Sequence, residues 1–491
     1  MEISINGLTE QTEEFLSQLA LARHRHHAGL APRQRLAKLV EDFPSLLRSD
    51  SFLQVRQAAA SPKTDAETRG SLHRLLRFLA WGHALGAAAS SLDGCAEELE
   101  RPINSSMRTM PLAEALERLP EDLERERRHA LERDLTEALW ERHTQWSRVI
   151  DSNIHASAHL GFSSMRAQHE ALSGIELQPW LEAAEKLLTT TEDAYRDLLG
   201  YVLKRLDPAL KPQTAHWHDV LHVGTLPWMR ELFRAEDLLP AVKRTFEDLG
   251  LGTDARGRLT LDAEPRDDAS PQPLVSPVRV PDDVRLSVSR RGGRHACAEL
   301  LAAFGEAQLW AHGSAGAGTL ERRFPEAASL EAIRTLVSHF SLEEGWLKRY
   351  LRVPSAAARE AARLGAFTAL AGLREAAAML PYVLEVYARG PVRPLAEEYE
   401  DRMARALGVS VPRGGFLLRV GGVDPLPLRA ATLEVRLTDS LREHFNEDYF
   451  RNPATGSWFV DFAARPPVDS ERPVAAGLTR ASQRLVRLMS T

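Results

Sequence analysis

Apolar residues recur at the period of an α-helix along most of this chain, and that confines it to a mainly helical fold. Leu72, Leu75, Leu76 and Leu79 stand at i, i+3, i+4 and i+7, one stripe of an amphipathic helix. Leu131, Leu135, Ala138, Leu139 and Arg142 keep the same spacing. Between Pro179 and Leu206, the residues Leu181, Ala184, Leu188, Tyr195, Leu198, Leu199, Val202 and Leu206 line one face, so the spacing predicts one helical segment. Alanine-rich stretches at 356–362 and 366–378 favour helix and let helices approach closely.

Strand signals are few. Residues 258–261 follow the turn-like Thr253-Asp254-Ala255-Arg256-Gly257, and Val284, Leu286 and Val288 alternate with Arg285 and Ser287. A third candidate strand is 415–420. The reading is mainly α with a small sheet in the middle. Residues 262–283, rich in Pro, Asp and Ser, read as a loop inside the sheet region. Further breaks fall at 390–394 and 465–473. No repeat at solenoid spacing and no low-complexity tract is present.

Composition removes several classes of function. Sixty-two basic against 68 acidic residues give a net charge of −6, with no electrostatic footprint for nucleic acid or an anionic membrane. No apolar run approaches the roughly 20 residues of a membrane span. The stretch from Met1 to Gln11 is polar and acidic, unlike a signal peptide, so a cytoplasmic protein is expected. Cys95 and Cys297 cannot staple 491 residues; they suit a reducing compartment and exclude a Cys-rich metal site.

The chain has no P-loop, no GxSxG elbow and no GxGxxG after a strand. His24, His26 and His27 lie in an Arg-rich N-terminal helix and read as part of a solvated basic face. His216, His218 and His222 cluster around Trp217 and Asp219. His218 and His222, at i and i+4, have the spacing of two zinc ligands, but no Glu follows the first His as HExxH requires. Local hydrogen bonding or surface placement is expected for this cluster, and its role stays open.

The middle of the chain is the most informative. Val278-Arg279-Val280-Pro281-Asp282-Asp283-Val284-Arg285-Leu286 leads to Gly292-Gly293 and then to a helix of about 296–312. This order resembles zinc metallopeptidases of the thimet oligopeptidase and oligoendopeptidase F type, of the gluzincin class. Other blocks keep the family order. Glu170-Ala171-Leu172-Ser173-Gly174-Ile175 and Thr191-Glu192-Asp193-Ala194-Tyr195 lie upstream, and Leu441-Arg442-Glu443-His444-Phe445 to Asn452-Pro453 downstream. The resemblance implies two helical lobes around a deep channel, with a small mixed β-sheet at the channel wall. It also implies that the strand at 284–288 lies beside the substrate groove, where family substrates pair with an edge.

The departures from the family are as specific as the match. In HExxH, two His bind zinc and the intervening Glu activates the metal-bound water. The corresponding stretch here is Ala302-Ala303-Phe304-Gly305-Glu306, so both first positions lack a donor and Glu306 replaces the second His. The third ligand of the family, a Glu on the next helix, corresponds to Glu331. The tyrosines that stabilise the oxyanion in the family correspond to Leu428 and Thr432.

Zinc is the cofactor of the family, and none is expected at these positions here. The resemblance with these losses implies an inactive metallopeptidase homologue, a pseudopeptidase. It would bind a peptide or protein partner, such as an active paralogue, as a regulatory subunit. Two alternatives stand beside it. One is a hydrolase with a rearranged metal site built from His295, Glu299, Glu306 and Glu331, which share a helix face or lie near it. The other is a structural protein whose channel is filled, with Phe304, Gln308 and Trp310 turned into the old site. In the simplest case, Glu306 and Glu331 pair with nearby arginines, Arg334 among them. The expected division is an N-terminal helical region at 1–250 forming much of one lobe, a degenerate catalytic-like region with the small sheet at 251–465, and a C-terminal helix or tail at 466–491.

Overall fold

The computed structural model describes residues 4–105, 108–465 and 474–490. The chain forms two compact units, each assembled from separate stretches. The first takes residues up to Thr12, Arg35–Val223 and Arg374–Pro425; the second takes Glu13–Gln34, Gly224–Leu373 and the chain from Leu426 onward. This differs from boundaries at 250 and 465. The helix Ser355–Arg389 runs straight through one changeover, at Leu373 and Arg374, so no break in periodicity marks it.

In the first unit, the helix Ala66–Glu100 packs against Ser49–Ala60 and Thr144–His159. Asp65 caps its start by accepting from the Thr68 N–H at 2.9 Å. Near its other end, the Asp93 carboxylate accepts from the N–H groups of Leu36 and Ala37, the first two residues of the helix Leu36–Glu41. The segment expected as one helix from Pro179 to Leu206 is two, Gln178–Thr190 and Glu192–Leu206, joined at Thr191. The buried guanidinium of Arg374 stabilises the joint, donating to the Leu188 carbonyl and to the Thr191 hydroxyl. Strands β1 (Pro102–Asn104) and β2 (Thr109–Pro111) form a short antiparallel ladder. The stretch 415–420 is not a strand: Arg413–Gly415 is a short 3-10 helix, and Phe416 and Leu417 are buried. A Cβ on Gly414 would stand 2.4 Å from the Thr136 carbonyl oxygen, so the chain there lies directly on the helix Arg125–Arg142.

The second unit holds a three-stranded mixed sheet in the order β3-β5-β4, from β3 (Leu259–Asp262), β4 (Leu274–Arg279) and β5 (Asp283–Ser287). β3 and β5 pair in parallel, β4 and β5 antiparallel. β3 and β5 lie within a residue of the strands read at 258–261 and 284–288. β4 lies inside the stretch read as a loop; its Pro277 suits a sheet edge, where an N–H is dispensable. β5 is central, so the expectation that it offers an edge to a substrate peptide is corrected. The outer carbonyls of β4, at Pro277 and Val278, accept from Arg323 and Ser17. β3 forms the other edge.

Four helices of this unit pack in series: Arg294–Ala311 on Ala327–Ser338, that on Leu426–Phe445, and that on Val474–Ser490. The first two approach closely at Gly305, where a Cβ would lie 2.8 Å from Val337. The alanine-rich stretches form one helix, Ser355–Arg389, which ends at Gly390 with φ +78°. The break at 465–473 falls almost wholly on 466–473, outside the described residues. The chain is thus mainly helical with a small mixed sheet. Among the described residues, no helix is long and apolar enough to cross a membrane.

Candidate functional site

The helix Arg294–Ala311 carries the stretch that the resemblance aligns with HExxH. It starts after Gly293, whose φ of +103° and hydrogen bond to the Phe233 carbonyl set the turn into the first helical residue. Ala302 and Ala303 are buried at 7% and 3% exposure and carry no donor atom. Phe304 faces the other way, its ring 5.5 Å from Phe246, and Gln308 on the same face donates to the Gly252 carbonyl at 2.6 Å. These two residues therefore do not fill the old site, as the filled-channel alternative required. Trp310, one turn beyond Glu306, donates to that carboxylate at 3.4 Å.

Glu331, on the adjacent helix Ala327–Ser338, meets Glu306 through an arginine. Arg334 pairs with the Glu306 carboxylate and, at 3.1 Å, with Glu331 on its own helix. One guanidinium thus bridges both carboxylates, as expected of a pairing with nearby arginines. Burial raises the Glu331 carboxyl, the negative charge of Glu306 adds to this, and Arg334 opposes it. Glu306 keeps 16% of its side-chain surface and Glu331 39%, so water reaches the group from the Glu331 side. His295 and Glu299 pair with each other at 3.1 Å, and Arg291 lies 3.4 Å from the same carboxylate. The structure thus brings Glu306 and Glu331 together, but not the four residues of the rearranged site as one ligand set. Leu428 and Thr432 are both buried, and the Thr432 hydroxyl donates to the Arg429 carbonyl of its own helix. The zinc implied by the resemblance does not fit here: Ala302 offers no donor at one ligand position, Ala303 none at the position of the base, and the carboxylates at the other two ligand positions already hold a cation.

Deeper in the same unit lies a buried charge cluster. Glu434 accepts from Arg484 at 2.7 Å, with His339 at 3.1 Å, and Arg442 pairs with Glu343 at 2.7 Å. Burial alone would raise the Glu434 carboxyl, but Arg484 and His339 outweigh it and hold it well below the carboxylate range.

The N-terminal histidines divide. His26 is exposed, as expected of a solvated face, but His24 is buried at 4%. Burial lowers the pKa of His24 and pushes that of His27 down to about 4.

The first unit contains a group that the sequence reading missed in part. His129 and Glu132 stand at i and i+3 on the helix Arg125–Arg142, facing His216 and His218 at the start of the helix Trp217–Gly224. The His216 and His218 rings stack at 5.7 Å and 3°, and His129 meets them edge-on at 4.6 and 5.6 Å. Glu132 accepts from the His218 backbone N–H at 2.8 Å, and its other oxygen is 3.5 Å from His216 Nδ1. Burial pushes the Glu132 carboxyl up to about 7. Asp219 lies 3.2 Å from His218 Nδ1 and is held by both arms of Arg125. Burial would raise the Asp219 carboxyl, but the His218 and Arg125 contacts hold it below its ordinary range. Burial also lowers the pKa of His216 and of His218, which favours neutral imidazoles. His222 turns away, its Nδ1 at 2.6 Å from the Pro120 carbonyl, so the pair His218 and His222 does not converge. A His-x-x-Glu spacing at 129–132 was the signal available in the sequence for the partners that do.

No family model matches the sequence, and no curated protein matches it. Solved structures do. PZ peptidase A, solved with an inhibitor, superposes with a TM-score of 0.62 at 12% identity, over 97% of this chain and 91% of that one. A Chlamydophila abortus protein described as a peptidase gives 0.61 at 10%, over 99% and 90%. A protein described as an oligoendopeptidase F gives 0.61 at 13%, over 97% and 90%. At these identities the likeness shows the fold alone, an oligoendopeptidase-like helical fold.

Proposed function

We propose that this chain is a catalytically silent relative of the oligopeptidases that binds a peptide or protein without cleaving it. The observation that carries the reading is Arg334 between Glu306 and Glu331. Peptide hydrolysis of this type needs a metal-bound water and a base to activate it. Ala303 stands where the base would, Ala302 where a ligand would, and a fixed guanidinium takes the carboxylates. No hydroxyl at Leu428, and a Thr432 hydroxyl turned to its own helix, leave the oxyanion without the donors the family uses. What persists is the scaffold, including β3 as a sheet edge able to pair with an extended segment. The partner is a peptide or a protein such as an active paralogue, and buried, unpaired Cys95 and Cys297 suit the cytoplasm.

A purely structural role draws on the burial of Ala302, Ala303, Leu428 and Thr432. One experiment separates the readings. The purified chain, supplied with zinc, is incubated with a library of quenched fluorescent peptides, and binding is followed by anisotropy. Saturable binding without turnover supports the proposal, and absence of binding supports the structural role. Turnover that disappears with Glu306→Ala contradicts both.

A further inference from the structure

We propose that His129, Glu132 and His218 bind one zinc ion, at a site in the first unit separate from the positions of the family's zinc. A ring nitrogen of each histidine and a carboxylate oxygen of Glu132 lie within 4.8 Å of one another. That spacing lets an ion at their centre reach all three with small side-chain adjustments, since Zn–N and Zn–O bonds are about 2.0–2.2 Å. Among the described residues, this is the one group of three or more such side chains that gathers so closely.

A second observation points to a ligand. The His218 ring is fully buried, and Asp219 stands beside its Nδ1 at 3.2 Å. Its Nε2 has no hydrogen-bond partner. A buried polar atom left without a partner costs about 1–3 kcal/mol. The surrounding polar groups are otherwise engaged: Arg125 grips Asp219, and one Glu132 oxygen takes the His218 N–H. A metal ion gives His218 Nε2 a partner and the buried Glu132 carboxylate a counter-charge. Asp219 then stands behind a ligand as carboxylates commonly do in metal sites, fixing the ring and raising its basicity.

Two imidazoles and one carboxylate suit zinc better than magnesium or calcium, which take oxygen donors. Three protein ligands leave a position for water. His129 is exposed, and with Glu132 and His216 it lines a cavity of about 430 Å³, so the ion has a route in.

The test uses the full chain, stripped with chelator and titrated with zinc by calorimetry, with elemental analysis after dialysis. One equivalent is expected. His129→Ala, at an exposed position that leaves the core intact, is expected to weaken binding by at least about tenfold. Glu132→Gln is expected to do the same, and Glu331→Ala to change nothing. Cobalt substituted for zinc is expected to give the intense visible absorption of a four-coordinate site. An absence of zinc binding by the parent chain overturns the proposal. So does full retention in both His129→Ala and Glu132→Gln, or loss in Glu331→Ala. Each result is read without peptide turnover, so it stands apart from the fate of the binding role.

Discussion

Two clusters of carboxylates, one in each unit, meet their need for positive charge in opposite ways. In the second unit, Glu306 and Glu331 are bridged by Arg334, a cation supplied by the chain itself. In the first unit, the buried Glu132 faces imidazoles, and the nearby Arg125 is committed to Asp219. The first arrangement is closed: an ion there would have to displace a guanidinium. The second is open, with no partner at His218 Nε2 and one Glu132 oxygen met only by His216 Nδ1 at 3.5 Å. The difference teaches that the position a family resemblance assigns to a metal and the closest set of donor side chains among the described residues need not coincide.

The contrast can be broken at several points. The largest expected effect is at a third cluster that serves as reference, where the chain supplies every charge and the central pair Glu434 and Arg484 is buried. Glu434→Ala is expected to destabilise by about 3 kcal/mol, because it leaves the buried Arg484 with only Glu343, at 3.7 Å, as a partner. The same residue sets a pH dependence. Its folded-state pKa lies below the ordinary 4.5, so its contribution is present above that value and is lost as pH falls through and below it. Chemical denaturation across the acid range should show this loss in the parent chain and a flatter limb in Glu434→Gln.

Zinc comes next. At a free concentration of 100 times its dissociation constant, one bound ion is expected to stabilise the chain by about 2.7 kcal/mol. Thermal melts with and without chelator should show this in the parent chain and not in His129→Ala. A zinc effect that survives His129→Ala would place the ion elsewhere and erase the contrast between the clusters.

Removing the internal cation is expected to cost less. Arg334→Met leaves Glu306 and Glu331 facing each other, and because the pair is partly exposed, about 1–2 kcal/mol is expected. The sign of its pH dependence is opposite to that of Glu434. The Glu331 pKa is already raised, so its protonated form favours the fold, and that benefit is lost as pH rises through its folded pKa. Without Arg334 the penalty should therefore grow from about pH 4.5 upward and vanish in acid. A penalty independent of pH would mean that Arg334 acts through packing and not charge.

The smallest effect is at His295. Its pair with Glu299 is solvent-exposed, with 60% of the His295 side chain in water, so His295→Ala should change stability by less than about 0.5 kcal/mol. Metal content should not change. A drop in bound zinc would revive the rearranged site of His295, Glu299, Glu306 and Glu331.

Much of the fold was legible because it rests on local periodicity. The stripes at 72–79 and 131–142, the strands near 258–261 and 284–288, and the helix from 294 to 311 each declare themselves within a dozen residues. β4 did not, because Pro277 and the neighbouring Ser and Asp residues hide an edge strand in loop composition. The joint at Thr191 escaped because Arg374, 183 residues away, supplies the hydrogen bonds that make it stable. The central place of β5 was hidden for a similar reason, since pairing order is set by partners far along the chain. At the site, Arg334 as partner of Glu306 and Glu331 was within reach, being one turn from Glu331 on the same helix. The cluster of His129, Glu132 and His218 was half visible: His218 stood out among its neighbours, but His129 and Glu132 lie 86 or more residues upstream. Attention to the i, i+4 pair His218 and His222 pointed away from them, and only the tertiary contact between two helices supplies the convergence.

Anomalous scattering at the zinc edge, from crystals grown with zinc, locates the ion without assumption and so tests the contrast between the two clusters most directly. The account predicts one peak among His129, Glu132 and His218, with the Arg334 guanidinium still between Glu306 and Glu331. A peak between Glu306 and Glu331, with Arg334 swung aside, would contradict it.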